Sequence, residues 1–332
     1  MRAAVYRTPG SAREVLAVEN VGRPEPGPGE VLVRVRASGV NPTDFKTRAG
    51  ATPRAIEEFQ IPNQDGAGVI EAVGAGVDAA KTGQRVWVWL AAFNRRWGTA
   101  AEYTVVPERQ AVALPDGASF ELGASLGVPA MTAHRALLAD GPVEGKTVLV
   151  AGGAGAVGHY AIELAKYFGA RVVTTVSSQE KGEIAAKAGA DLVVNYKEAT
   201  AIDQVKAFAP VMDRIVEVAL GANLELDLAV AGPQTSVVTY AADGNDPTIP
   251  VRACMSANVN LRFMLLYGVP GPALDQAVTD ITAAVRQGAL TELPVHRFTL
   301  DDTVAAHEAV ESGAVGKVII APLQHRGGRA RY

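Results

Sequence analysis

The stretch from Thr147 to Gly169 constrains the fold of this chain more than any other part of the sequence. It opens with a continuous apolar run, Thr147 to Ala151, which predicts a strand buried on both faces of a sheet. A glycine-rich turn, residues 153–158 (GAGAVG), comes next. Apolar side chains then recur with helical spacing up to Phe168, and Gly169 stands just past the predicted helix end. A buried strand, a glycine turn and a helix in this order predict a dinucleotide-binding unit; the alternative is a purely structural turn.

The turn offers a separate reason for each of its glycines. Gly153 is expected to permit the tight turn, Gly155 to let the backbone approach a pyrophosphate, and Gly158 to let helix and strand pack closely. The free N–H groups at the helix N-terminus then receive the phosphates. The residues predicted to hold the cofactor here are Gly153, Ala154, Gly155, Ala156 and Val157.

The rest of the chain shows two kinds of pattern. After the turn, strands and helices alternate, with strands predicted at 171–176, 192–194, 215–218 and 236–240 and a helix at 180–188. This order is typical of an α/β protein with a doubly wound parallel sheet. The first third instead carries short β-branched or aromatic runs between Gly, Pro, Asp and Asn, which predicts a compact, mostly β domain. Its expected strands lie at 31–36, 69–73, 85–90 and 103–106.

The last part of the chain is too short to form a domain by itself. It offers an amphipathic helix at 273–287, a helix-like stretch at 300–312 and a closing strand at 316–320. We expect this part to pack back onto the first domain. The predicted domains are therefore 1–125 completed by 265–332, with a nucleotide-binding domain, 126–264, inserted between them.

Composition narrows the possible functions. The 332 residues carry a formal net charge of −4, so we do not expect nucleic acid as a partner. The basic residues of 325–332 leave an RNA-contacting tail as the alternative to a frayed terminus. A single cysteine, Cys254, excludes an internal disulfide and a cysteine-rich zinc site. The first residues lack the pattern of a signal peptide and no apolar run reaches about 18 residues, so we expect a cytoplasmic protein without a membrane partner.

The end of the second predicted strand indicates which dinucleotide binds. NAD enzymes usually place an acid about 20 residues after the glycine turn, where it holds the ribose 2′-hydroxyl. This chain has Ser177 and Ser178 there, and Lys181 follows three residues later. Hydroxyls and an ammonium favour a 2′-phosphate, so NADPH is the predicted cofactor. The serines also suit a helix N-cap, and both interpretations can hold together.

Motifs spread along the chain resemble one protein family. They are SGVNPTD at 38–44, GAGVIEAVG at 66–74, AEY at 101–103, GVPAMTA at 127–133, the run 148–158, AGAD at 188–191, VNY at 194–196 and GKV at 316–318. Together they resemble the zinc-free quinone oxidoreductases of the zeta-crystallin type, in the medium-chain dehydrogenase/reductase superfamily. The resemblance implies a GroES-like catalytic domain, formed by both chain ends around a Rossmann domain, with the active site in the cleft between them.

The same resemblance bears on the metal. Zinc-dependent members carry Cys where this chain has Asn41, and Gly-His-Glu where it has Asn63-Gln64-Asp65. Amide side chains are poor zinc ligands compared with thiolate and imidazole, so we expect no metal. Without a Lewis acid, oxidation of an alcohol through a metal alkoxide is disfavoured, whereas a quinone or conjugated carbonyl accepts hydride readily.

The resemblance also implies roles for particular residues. Asn41 and Thr132 would be catalytic: Asn41 beside the nicotinamide, with an amide able to bond a substrate oxygen, and Thr132 at the nicotinamide end. Lys46 stands where relatives usually have a tyrosine that shapes this pocket, and His134 where they have a phenol; a structural role is the expectation for His134. Further positions match residues that line the cofactor: Tyr196, Asn223, Tyr240, Ala241, Met264, Leu265 and Leu266.

These observations predict an NADPH-dependent quinone oxidoreductase whose partner is a small quinone or conjugated carbonyl. A cluster of aromatic residues, Trp87, Trp89, Phe93 and Trp97, is a candidate platform for a flat quinone ring, though at least two of its members are expected in the core. The first alternative is reduction of the C=C bond of an α,β-unsaturated aldehyde or ketone. The second is a nucleotide- or RNA-binding protein with little activity. The resemblance implies a homodimer or homotetramer.

Overall fold

The computed structural model describes residues 1–51, 55–242, 244 and 246–323. The predicted tail at 325–332 lies outside the described residues. The strands are β1 (Arg2–Val5), β2 (Ala17–Asn20), β3 (Glu30–Val40), β4 (Asp65–Val73), β5 (Arg85–Val88), β6 (Tyr103–Pro107), β7 (Ala111–Ala113), β8 (Thr147–Ala151), β9 (Arg171–Val176), β10 (Leu192–Asn195), β11 (Met212–Glu217), β12 (Ala231–Thr239), β13 (Asn260–Phe263), β14 (Val295–Thr299) and β15 (Lys317–Ala321).

The helices alternate with these strands mainly after residue 130. They are α1 (Ala12–Val15), α2 (Pro42–Arg48), α3 (Phe120–Ser125), α4 (Met131–Leu138), α5 (Ala156–Tyr167), α6 (Gln179–Lys187), α7 (Ala201–Phe208), α8 (Leu220–Val230), α9 (Val251–Ala257), α10 (Gly271–Arg286) and α11 (Thr303–Glu311). Within the described ranges, no helix has the length and apolar character needed to cross a bilayer.

The chain divides into two compact units. The first unit comprises Met1–Val128 and the chain from Pro294 onward, and the second comprises Pro129–Leu293. The second boundary therefore differs from our prediction, which returned the chain to the first domain at 265. The reason is α10, which stays with the second unit: Asp280 on α10 hydrogen-bonds His134 on α4, with 2.8 Å between Oδ2 and Nε2.

The second unit is built on a parallel sheet with the strand order β10-β9-β8-β11-β12-β13. This is the order of a doubly wound dinucleotide-binding sheet, and it confirms the predicted fold class. All five residues of β8 are buried, as expected for a strand covered on both faces. The strand order reverses between β8 and β11, so the carboxyl ends of these two strands flank the switch point at which such sheets bind ligands.

The first unit is mostly β, as predicted, with the sheet order β14-β15-β3-β4-β5-β7, β6 paired to β3, and a separate pair, β1 and β2. One apolar cluster gathers the N-terminal strand with the returning chain and includes Val5, Ile61, Ala100, Val318 and Ile320. The two chain ends thus share one core. Both β3 and β4 run longer than expected, because glycines that we interpreted as strand breaks lie inside the sheet.

Candidate functional site

The glycine-rich turn of the second unit joins β8 to α5, as predicted. The residue with left-handed backbone is Gly152, at φ +71°, and not Gly153, so our assignment of the tight turn to Gly153 is wrong. Gly153 is required for another reason: a methyl group on it would lie 2.1 Å from Oγ1 of Thr174 on β9. Gly158 has the predicted role, since its methyl group would lie 2.2 Å from the carbonyl oxygen of Gly152.

The N-terminus of α5 is open to an anion. Its N-cap, Gly155, is exposed, has no side chain to bond the first-turn N–H groups, and is followed by no acidic residue in that turn. A methyl group on Gly155 would meet only the Gly152 carbonyl oxygen, at 3.3 Å. Because uncapped N–H groups and the positive end of the helix dipole favour phosphate, the turn fits a pyrophosphate.

The carboxyl end of β9 carries the residues predicted to select the cofactor. The Lys181 ammonium donates to Oγ of Ser177 over 3.1 Å, and Ser178 is the N-cap of α6, accepting from the Lys181 N–H. Tyr196, just after β10, donates its backbone N–H to Val176, and its side chain is 47% exposed. The structure thus brings these four residues together, and Tyr196 is no core residue. Glu180 points to solvent.

Further predicted positions follow the ends of the next strands. Tyr240 donates its N–H to the carbonyl of Glu217, the last residue of β11, and Met264 donates to that of Thr239 on β12. Burial, and secondarily the Glu217 carboxylate, raise the pKa of Tyr240 far above its usual range, so its phenol stays neutral. Asn223 on α8 donates to Oε1 of Glu217 over 2.9 Å. Ala241 is half-buried at the same edge of the sheet.

Three further residues that were predicted to contact the cofactor or the substrate differ in their exposure. Leu266 is only 3% exposed, so its side chain belongs to the core and offers no surface to a ligand, whereas Leu265 is 65% exposed. Thr132, on the first turn of α4, is 5% exposed.

A buried polar cluster, formed by Asn41, Asp44, Asp65 and Lys317, occupies the first unit. Asn41 donates its amide to Oδ2 of Asp65 over 2.7 Å and accepts from Nζ of Lys317 over 2.6 Å. Each of the four side chains is less than 5% exposed. Asp44 lies in the first turn of α2, and one of its oxygens accepts the backbone N–H of the N-cap residue Asn41. Its other oxygen accepts the backbone N–H of Gln64. Asn41 is therefore held by its own unit, and both heavy atoms of its amide already have partners.

The cluster contains two carboxyl groups and one ammonium. Burial, and secondarily the neighbouring Asp65 carboxylate, raise the pKa of Asp44 to about 8. Burial also raises the pKa of Asp65 and lowers that of Lys317, against the attraction between them across 3.7 Å. Lys317 is thus the one ammonium shared by the two buried carboxyl groups of the cluster. Sequence reasoning missed this role of Lys317, which appeared there only within the GKV motif and as a charge at the start of an apolar strand.

A second polar chain lies beside the cluster. Nε2 of His307 is 3.2 Å from Oδ1 of Asn63, whose amide donates to Ser38 over 2.9 Å. Asn63 adopts left-handed backbone at φ +76°. Burial, and secondarily the Arg48 charge, lower the pKa of His307 to about 3, so the imidazole is neutral. The backbone of Asn63 thus forms a left-handed turn, and its side chain joins His307 to Ser38.

The first unit does not offer a good zinc site at the positions aligned with the family's metal ligands. The Asn41 amide is engaged, and the ammonium of Lys317 supplies a cation there already. Over the described ranges, no group of three or more His, Cys, Asp or Glu side chains could hold a metal ion.

The remaining predicted residues fall into separate places. Trp87 and Trp89 are buried at 0% and 2% exposure, so they are core residues and not a platform. Phe93 is 38% exposed, and Trp97 packs edge-on against Phe59. Lys46 lies exposed on α2. His134 is fully buried and hydrogen-bonds the half-buried Asp280 on α10, which fits the structural role expected of it.

Comparisons with known proteins agree with these features. Residues 27–116 match the family described as alcohol dehydrogenase GroES-like domain, and residues 156–282 match the family described as zinc-binding dehydrogenase. Human quinone oxidoreductase is 31% identical over 92% of this chain and 94% of its own length. The 2-methylene-furan-3-one reductase of Solanum lycopersicum is 31% identical over 97% of this chain and 79% of its own length. A mycobacterial protein solved in complex with NADPH superposes with a TM-score of 0.84 at 28% identity, covering 97% of this chain and all of that one.

A GroES-like unit completed by both chain ends, with an inserted Rossmann unit, defines a class of oxidoreductase. The chain belongs to the medium-chain dehydrogenase/reductase superfamily, among its quinone oxidoreductase-like members.

Proposed function

We propose that this protein is a zinc-independent, NADPH-dependent quinone oxidoreductase. The choice of NADPH over NADH rests on the pairing of Lys181 with Ser177 at the carboxyl end of β9, where an NAD enzyme would present an acid. Membership among the quinone oxidoreductase-like proteins, together with the poor set of zinc ligands in the first unit, supports a quinone as the hydride acceptor. A quinone is already electrophilic, and its reduction therefore needs little assistance beyond positioning.

The residues of the second unit would hold NADPH along one edge of the sheet. The turn 153–157 and the N-terminus of α5 would receive the pyrophosphate, while Ser177, Ser178 and Lys181 would receive the 2′-phosphate. Tyr196 would pack near the phosphorylated ribose. When bound, the cofactor supplies a hydride. The residues of this chain bind and orient it.

In the first unit, the proposed role of Asn41 is to present its remaining amide hydrogen to the acceptor oxygen. Lys317 and Asp65 fix the amide so that its oxygen points to the ammonium and one N–H to the carboxylate. Asn41 is thereby oriented without a metal. Thr132 and Lys46 remain proposed contact residues.

The cofactor proposal is tested with Lys181→Ala and the matched control Lys187→Ala, an exposed lysine in the last turn of the same helix. A hydrogen bond to a charged partner contributes about 1.5–3 kcal/mol, or about 10- to 150-fold in Kd. We expect Lys181→Ala to weaken NADPH binding by that factor and to leave NADH unchanged, with no effect of Lys187→Ala. Fluorescence titration measures both. Equal binding of NADPH and NADH by the wild type would refute the proposal.

The acceptor is tested by NADPH oxidation with 9,10-phenanthrenequinone and with a simple enone. Rapid oxidation with the quinone supports the leading proposal. The relative that reduces 2-methylene-furan-3-one favours a second candidate, reduction of a conjugated C=C bond, and faster turnover of the enone would select it. Inertness toward both compounds, in protein that binds NADPH, would contradict the proposed activity.

We also propose that the protein is a homo-oligomer, with a homodimer as its basic form. β13 is the last strand in the order of the parallel sheet. Four apolar side chains in or near it are more than 60% exposed: Val251, Met255, Phe263 and Leu265. Exposed apolar side chains on and after an edge strand, and on α9 before it, suit a second copy of the chain. Phe263→Glu should lower the mass in light scattering, and a wild type that is monomeric would contradict the proposal.

A further inference from the structure

A buried pair of carboxyl groups lies at the switch point of the parallel sheet. Glu217 is the last residue of β11, which pairs with β8 on one side and β12 on the other. A methyl group on Gly152 would lie 3.3 Å from Cγ1 of Val218, the residue after Glu217. Glu217 therefore ends its strand next to the glycine turn, where doubly wound sheets bind their ligands.

The Glu217 carboxylate organises the loop that follows it. Its Oε1 accepts the backbone N–H of Ala219 and, over 2.9 Å, the side-chain amide of Asn223. Glu217 is fully buried, whereas Asn223 is only half-buried. One face of the Asn223 amide is thus fixed by a buried charge, and its oxygen and second hydrogen have no other bond in the described part of the chain.

The partner carboxyl is Asp227, one helical turn further along α8. It is fully buried, and within the described residues neither of its oxygens, nor Oε2 of Glu217, receives a bond from an amide, hydroxyl or basic group. The two carboxyl groups interact with each other, and an arrangement of this kind requires a proton between them. Burial, and secondarily the Glu217 charge, raise the pKa of Asp227 to about 9. Tyr240, the other titratable group facing Glu217, stays neutral.

We propose that Glu217 and protonated Asp227 are positioning residues that hold the Asn223 amide toward a dinucleotide at the switch point. This inference rests on the proposed binding of NADPH. The Asp227 proton lets Glu217 keep a single negative charge in a buried site, and that charge orients Asn223. Loss of the proton places two carboxylates in contact, which pushes the loop of Ala219 and Asn223 out of its binding geometry.

A double-mutant cycle tests whether Glu217 acts through Asn223. Kd for NADPH is measured for Glu217→Gln, Asn223→Ala and the double variant. Each single substitution is expected to weaken binding about fivefold to tenfold, and the double variant should bind within about twofold of Asn223→Ala. Independent effects that multiply in the double variant would overturn the inference, because a general loss of packing would act whether Asn223 is present or not.

The pH dependence tests the role of the proton. Wild-type Kd for NADPH is expected to be constant from pH 6 to 8 and to rise about tenfold by pH 10, one unit above the Asp227 pKa. Asp227→Asn keeps a neutral donor to Glu217 and removes the titration, so its Kd for NADPH should change by less than about twofold over the same pH range. Parallel profiles for the two proteins would overturn the inference. Failure of the wild type to bind NADPH at any pH refutes the proposed function instead, so the two failures are distinguishable.

Discussion

Protonation of His307 should destabilise the first unit in acid. The imidazole is fully buried, its Nε2 hydrogen is directed at Asn63, and Nδ1 has no partner in the described residues. A second proton would place a charge on that unpartnered atom, close to Arg48. This is the physical reason that the folded-state pKa falls to about 3, against about 6.5 in the unfolded chain.

The sign and size of the effect follow from these two values. Because the folded-state pKa of His307 is depressed, the unfolded chain binds more protons than the folded chain between pH 6.5 and 3. The contribution of the neutral imidazole to the free energy of unfolding is therefore full above pH 6.5 and is lost as the pH falls. The linkage relation gives about 2 kcal/mol lost between pH 8 and pH 5. His307→Gln keeps a donor to Asn63 without the titration, so the stability difference between wild type and variant should shrink by about 2 kcal/mol over this range.

Tryptophan fluorescence in urea isolates the unit concerned, since all three tryptophans, Trp87, Trp89 and Trp97, lie in the first unit. Unfolding free energies are compared at pH 8, 6.5 and 5. His296→Gln, at an exposed position in the same unit, is the control and should follow the wild type. If His307→Gln also follows the wild type through pH 5, the argument from burial is refuted.

Two further perturbations have outcomes that the structure sets. Gly158→Ala directs a methyl group to 2.2 Å from the Gly152 carbonyl oxygen and should cost about 1–3 kcal/mol in thermal denaturation. Gly155→Ala, whose methyl group would lie 3.3 Å from the same oxygen, should lower the Tm clearly less and should weaken NADPH binding; equal Tm values for both variants would contradict this. Lys317→Met leaves buried carboxyl groups without a counter-charge and should cost about 3–5 kcal/mol in urea unfolding, against less than about 1 kcal/mol for Lys81→Met, whose half-exposed partner is Glu108; similar costs would contradict the role given to burial.

Much of the second unit follows from sequence alone. The predicted bounds of β8 and β9 agree with the structure, and α5 ends at Tyr167, one residue before the predicted end. These elements are predictable because continuous burial and helical periodicity are written directly in the residue pattern. The grouping of Ser177, Ser178 and Lys181 was also accessible, since all three follow one strand within five positions.

The first unit was harder to predict, for a reason visible at Gly68. A methyl group there would lie 2.1 Å from the Arg34 carbonyl oxygen, so this glycine marks a close approach of β3 and β4 within the sheet. In the sequence it has the same appearance as a strand break. The end of the second unit was misplaced for a similar reason, because only packing against α4 assigns α10 to it.

By itself, the sequence determined that a buried strand enters a glycine turn and that two hydroxyls directly follow the next strand, with an ammonium at Lys181. Only the tertiary structure decided that the left-handed residue is Gly152, that Lys317 balances the carboxyl groups around Asn41, and that Glu217 and Asp227 meet at the switch point. Local patterns encode which residues are buried and in what order. Lys317 and Asp65 face each other from distant parts of the chain, and the turn between β11 and α8 brings Glu217 to Asp227 although only ten positions separate them. No spacing in the sequence records either contact.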